Sequence, residues 1–140
     1  MPYPHIPNIS VGNRIIDSEH KKMFDIIHRI QRSITANDCA AIADDFKLLE
    51  DFARACFSVE EEIARAVGFD FTLHNLAHQN LLKKYQQLGD ELAARNGSWS
   101  DGEGKAYANL LNKWLMRHLE HESRPLMCVL DTYFYDFKPT

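Results

Sequence analysis

The chain has 140 residues, 45% hydrophobic and 26% charged, with a formal net charge of -4. That length suits one domain with its own core and is too short for two. Acids and bases are interspersed, leaving no basic stripe for a nucleic-acid backbone. No stretch approaches the roughly 18 apolar residues of a membrane span. The opening Met1-Pro2-Tyr3-Pro4-His5-Ile6-Pro7 lacks the basic-then-apolar order of a secretory signal. Cys39, Cys56 and Cys128 are odd in number, far apart and without a Cys-x-x-Cys. Three scattered thiols point to a reducing, cytoplasmic setting and not to a disulfide framework.

In chain order, residues 1–16 are rich in Pro, Asn and Gly and are expected to form an extended arm. Asp17 or Ser18 can cap a first helix, whose apolar positions Met23, Ile26, Ile27, Ile30 and Ile34 recur at spacings of three and four. Asn37-Asp38 ends it. A second helix is expected over about 39–67, with Ile42, Phe46, Leu49, Phe52, Ala53, Cys56 and Phe57 on its apolar face and Gly68 as its stop. Asp70 or Thr72 starts a third, carrying Leu73, Leu76, Leu81, Leu82, Tyr85, Leu88 and Leu92 and ending near Asn96-Gly97. Asp101 opens a fourth, with Tyr107, Leu110, Leu111, Trp114 and Leu115, which cannot run regularly far past Pro125. Trp99 reads as a loop anchor.

No segment alternates as a half-buried strand does. The expected fold is all-α, an antiparallel up-down four-helix bundle over 17–125 within a single domain of 1–140. The tail, 126–140, holds Tyr133, Phe134, Tyr135 and Phe137, and is expected to fold back on the bundle or to meet a neighbouring subunit or signalling partner.

His74 and His78 lie four apart and therefore on one helix face, where two imidazoles can meet one ion. His118 follows Trp114 and Leu115 by four and three residues, close to a core stripe. A buried neutral imidazole leaves a donor and an acceptor to satisfy. Several converging inside one bundle are most economically explained by a shared ion. His28, eight residues after His20, reads as an interface or surface residue, and the Lys21-Lys22 and Lys83-Lys84 pairs read as solvated faces.

The order of these ligand types resembles the hemerythrin family. Val11-Gly12 followed by Ile16-Asp17-Ser18-Glu19-His20-Lys21 looks like that family's entry into its first helix. Phe57-Ser58-Val59-Glu60-Glu61, then His74-x-x-x-His78, then Trp114-Leu115-x-x-His118-Leu119 match its later motifs in order and separation, over roughly residues 9 to 130. The resemblance implies a non-heme diiron centre that binds O2. His74, His78 and His118 would cap one iron, His20 would bind the other, and Glu60 would bridge them. A ferritin-like diiron site, the nearest rival, uses Glu-x-x-His pairs, and the sequence contains none.

Two positions depart from the family pattern, which wants a histidine four residues before Glu60 and an aspartate five after His118. The chain has Cys56 and Ser123 there. Cys56 reads either as a small buried thiol or as a thiolate ligand. Ser123 cannot bridge two irons as a carboxylate does. Glu122 is a candidate substitute that could swing into the gap, and His121 is a further candidate ligand. Asp17, Glu61 and Ser123 are candidates for outer partners that fix the ligands' orientation.

The resemblance thus implies iron, two ions by family pattern or one where the second position has been abandoned, with zinc as the alternative. The expected function is sensing of O2, NO or another small diatomic, or of redox state, or a modified oxygen chemistry, rather than simple oxygen carriage, with binding favoured over enzymatic turnover. Two other readings stay open: an iron-thiol enzyme that reduces peroxide or superoxide, with Cys56 beside the iron, and a metal-free or zinc-stabilised interaction module acting through the aromatic tail, as a homo-oligomer or with a partner.

Overall fold

A computed structural model describes residues 10–139 of the chain. The extended arm and His5 therefore fall largely outside the described residues. Four long helices, α1 (Arg14–Thr35), α2 (Cys39–Ala66), α3 (Thr72–Arg95) and α4 (Asp101–Arg117), are joined by short turns. A π-helical turn at His118–Glu122 and a short α5 (Arg124–Leu130) complete the chain's regular structure. α1 packs on α2 and α4, and α3 closes the ring between α2 and α4. This is the expected four-helix bundle, with no strand among the described residues. No helix among these residues is long and apolar enough to cross a membrane.

The connections follow local chemistry. Asn37 and Asn96 adopt positive φ (51° and 50°), the left-handed conformation asparagine tolerates best after glycine, and Gly68 takes φ 75° after α2. Ser100 and Glu103 form a reciprocal capping box at the start of α4. Asp70 accepts from the backbone N–H and the hydroxyl of Thr72 where α3 begins. Trp99 is buried and donates its indole N–H to the Ile34 carbonyl, anchoring the α3–α4 loop to the end of α1.

Two boundaries differ from expectation. α1 begins at Arg14, because the Asn13 side chain, not Asp17 or Ser18, accepts from the backbone N–H groups of Ile15 and Ile16. Asp17, one turn into the helix, instead accepts from the Val11 N–H and from the Tyr135 hydroxyl. Beyond Pro125 the chain is helical again, so residues 126–130 belong to α5 and not to the tail. Proline in the first turn of a new helix sacrifices no hydrogen bond. The rest of the tail does fold back on the bundle. Arg14 N–H donates to the Tyr135 carbonyl, Asn13 to the Phe137 carbonyl, and Arg14 pairs with Asp136.

The interior falls into two apolar clusters. The larger includes Met23, Phe24, Ile27, Leu49, Phe57, Leu81, Tyr85, Leu111, Leu115 and Leu119. The smaller, near the start of α1, joins Val11, Ile16, Ile63, Ala64, Val67, Leu126 and Leu130. Between them the helices carry polar residues in the core. His20 lies between Ile16 and Met23 on α1, and Glu60 between Phe57 and Ile63 on α2, while His118 and Ser123 precede Leu126. That polar layer is where the chemistry resides.

Candidate metal centre

His20, Glu60, His74, His78, His118 and Ser123 are all at most 5% exposed. Burying this many polar groups costs several kcal/mol each unless every one finds a partner. Hydrogen bonding within the protein does not supply them. His20 Nδ1, Glu60 Oε1, both ring nitrogens of His74 and His78, His118 Nε2 and the Ser123 hydroxyl are buried without a hydrogen-bond partner. Glu60 nevertheless sits close to two rings, with Oε1 3.1 Å from His74 Nε2 and Oε2 3.1 Å from His78 Nε2. These contacts are near but misaligned for hydrogen bonds, as expected of groups arranged around a common point and not aimed at one another.

The imidazoles converge. Ring centroids are 4.5 Å apart for His74 and His78, 5.2 Å for His74 and His118, and 4.9 Å for His78 and His118. One ligand atom from each of the three lies within 4.8 Å of the others. α3 delivers two of them because i and i+4 share a face, and the junction of α4 with the π turn delivers the third. Among the described residues no second such group forms. His20 is buried nearby but lies outside this triad.

The electrostatics keep His20, Glu60, His78 and His118 in a ligating state. Burial lowers His118 to about 3, helped by the neighbouring His78. Burial also lowers His78 and His20, against the opposing pull of Glu60. Burial alone would raise the Glu60 carboxyl, but the His74 and His78 rings hold it well below the usual carboxylate range. Neutral imidazoles with free lone pairs beside an ionised carboxylate are the donor set a transition-metal cation takes. The residues present therefore fit a metal ion, by their chemistry and by their unsatisfied atoms.

Aromatic rings wall this pocket. Phe57 stacks on His78 with centroids 3.7 Å apart and an interplanar angle of 5°. Phe71 stacks on His74 at 4.9 Å, and Phe69 meets the same ring edge-on at 6.4 Å. They fix ring orientation and limit water. Phe57 was legible as an apolar position of α2 but not as a partner of a residue on α3. Phe69 and Phe71 come from the loop before α3, where no periodicity marks them.

The other candidates are distributed unevenly. Glu122 lies against one member of the three-histidine cluster. Its Oε1 lies 3.2 Å from His118 Nδ1; an ionised carboxylate only accepts, which selects the tautomer with the proton on Nδ1 and a lone pair on Nε2. Its side chain is 45% exposed. His121 is exposed on the π turn. Glu61 pairs with Arg65 along α2 at 3.8 Å. Cys56 is buried, and burial, followed by its hydrogen bond to Glu19 and the charge of Glu60, pushes the thiol up. Lys22 pulls the other way, more weakly. Glu19, beside Cys56 and His20, was not anticipated, since it neighbours His20 in sequence and adjacent helical residues do not share a face.

Removing the Glu122 acceptor should weaken the cation without removing it. Glu122→Ala is expected to lower metal affinity by roughly 10–100-fold, and Glu122→Gln, which keeps an acceptor oxygen, to recover part of that. Competition with a chromophoric chelator measures it. Unchanged affinity in the alanine variant would mean His118 is held by packing alone.

The "Hemerythrin HHE cation binding domain" family model matches residues 11–130. The chain belongs to the hemerythrin family. It is similar to a bacteriohemerythrin of Pseudomonas aeruginosa strain LESB58, at 22% identity over 82% of this chain and 72% of that protein. A bacteriohemerythrin of Stenotrophomonas maltophilia is 22% identical over 83% and 86% of the two chains. A hemerythrin-like protein of Naegleria gruberi is 28% identical over 85% and 86%. No solved structure matches the chain significantly.

Proposed function

We propose that this hemerythrin-family protein binds iron in the pocket of His74, His78, His118 and Glu60, and uses it to bind O2 or NO as a sensor and not as a carrier. The observation that carries this reading is the convergence of three buried imidazoles whose inward nitrogens have no protein partner. Iron held there would supply an open position for a diatomic ligand. The chain's own residues do the rest. Glu60 balances the cation's charge, Glu122 orients His118, and Phe57, Phe69 and Phe71 keep the pocket dry.

By family pattern a second iron would use His20, with Cys56 and Ser123 standing where two further ligands are wanted. With a cysteine in place of the histidine and a hydroxyl in place of the carboxylate that the pattern wants, the second position lacks its full ligand set, so we assign this chain one tightly bound iron. Reversible carriage draws on two irons, whereas sensing asks only that ligand binding be felt by the protein. The unpaired Cys39, Cys56 and Cys128 are in keeping with a reducing cell interior.

The test is iron analysis and optical spectroscopy of protein loaded with ferrous iron without oxygen and then exposed to O2 or NO. About one tightly bound iron per chain and a ligand-dependent spectrum are expected. Two irons with a strongly coupled diferric spectrum would overturn the single-iron assignment. No iron at all, with a melting temperature indifferent to EDTA, would favour the interaction module.

A further inference from the structure

Around the bundle, α3 and α4 approach each other less closely than the other adjacent helices do, and a groove of about 650 Å³ runs between them. Lys83 and Lys84 line it from α3, and Arg117 and His121 line it from the α4 side. None of these four carries an ion pair to a carboxylate among the described residues, so their donors are open to a ligand. Lys84 instead rests over the Trp114 ring, 5.8 Å from its centroid, and Trp114 backs onto Tyr85 at 6.4 Å. The acid lining the groove is Glu122, whose carboxylate is engaged with His118.

We propose that this groove binds a small phosphorylated molecule, with its phosphate between the α3 lysines and Arg117–His121 and its organic part against Trp114. Three observations carry this. Lys83 and Lys84 on one wall and Arg117 on the other give the groove three cations against the one carboxylate of Glu122, in a chain of net charge -4, so it is positive against the molecule's average. Guanidinium and ammonium groups supply the donors that phosphate oxygens take. The volume exceeds what a bare phosphate fills and lies in the range of small-molecule sites. A concave groove with an aromatic ring in its lining favours such a ligand over a broad acidic protein surface.

Glu122 connects the groove to the metal pocket. An anion beside Glu122 disturbs its contact with His118 Nδ1, so occupancy is read at the bound metal. This second step rests on the metal-binding reading above, and the first does not.

Iron-loaded protein is titrated with phenyl phosphate at constant ionic strength, followed by calorimetry and tryptophan fluorescence. Saturable binding at one per chain is expected, stronger than for inorganic phosphate, with a fluorescence change that disappears in Trp114→Phe. Lys84→Ala combined with Arg117→Ala should weaken binding about 100-fold, roughly tenfold for each charged contact. Lys113→Ala, outside the groove, should leave it unchanged. Absence of saturable binding, an equal response to potassium chloride, or an equal loss in Lys113→Ala would overturn the site. Phenyl phosphate should also shift the iron's optical spectrum in the parent and not in Glu122→Gln, and failure to do so overturns the link to the metal. Protein that takes up no iron yet binds phenyl phosphate would refute the metal reading alone.

Discussion

His78→Ala is expected to leave the purified protein without measurable iron. The substitution removes one of three converging imidazoles, and its effect should exceed the ~10–100-fold loss that follows removal of an outer partner such as Glu122. It also strips Glu60 Oε2 of the ring that lies 3.1 Å away and takes the stacked partner from Phe57. The parent should gain melting temperature when iron is added, because a ligand bound only by the folded state stabilises it. The variant should show no such gain. Iron content by elemental analysis and paired melting curves with and without ferrous iron provide the measurement. Equimolar iron retained by His78→Ala would eliminate the three-histidine pocket as the binding site.

The bundle was legible because its signals are local and repeated. The apolar spacing of Met23, Ile27, Ile30 and Ile34 survives directly as the buried face of α1, and Asn96-Gly97 stops α3 where a left-handed turn is needed. The start of α1 was misplaced because Asn13, Asp17 and Ser18 are all competent caps. The choice among them is tertiary. Asp17 is drawn to Val11 N–H and the Tyr135 hydroxyl, the latter 118 residues along the chain.

The site was legible in kind but not in arrangement. His74 and His78 follow from one helix face, and the resemblance to hemerythrins placed Glu60 and His118 with them. The π turn left no mark in the sequence. Residues five apart on an ordinary α-helix point about 140° away from each other, so His118 and Ser123 would not both face inward. The wider turn, closed by the Ser123 N–H donating to the His118 carbonyl, brings both into the core at 1% exposure. Glu122, four residues after His118, meets its Nδ1 at 3.2 Å. The basic groove was illegible for a different reason. Lys83-Lys84 reads as a solvated pair until α4 sets Arg117 and His121 across from it.

The same geometry makes the second-iron position testable by restoration. Because Ser123 is buried beside the pocket with an unpartnered hydroxyl, an aspartate there would place a carboxylate in the polar layer. Cys56 lies one turn before Glu60 on the same face of α2 and is likewise buried, so a histidine there would enter that layer too. Cys56→His together with Ser123→Asp is therefore expected to raise tightly bound iron from about one to about two per chain, with an optical spectrum of coupled irons absent from the parent. The larger side chains carry an overpacking cost of about 1–3 kcal/mol, so the metal-free double variant should melt below the parent and recover when iron is added. Each single variant should fall short, since one new ligand beside His20 leaves the ion under-coordinated. Circular dichroism of the metal-free variants separates misfolding from failure to bind. A folded double variant that still holds one iron would show that Cys56 and Ser123 are not what limits the second position, and would direct attention to the placement of His20 itself.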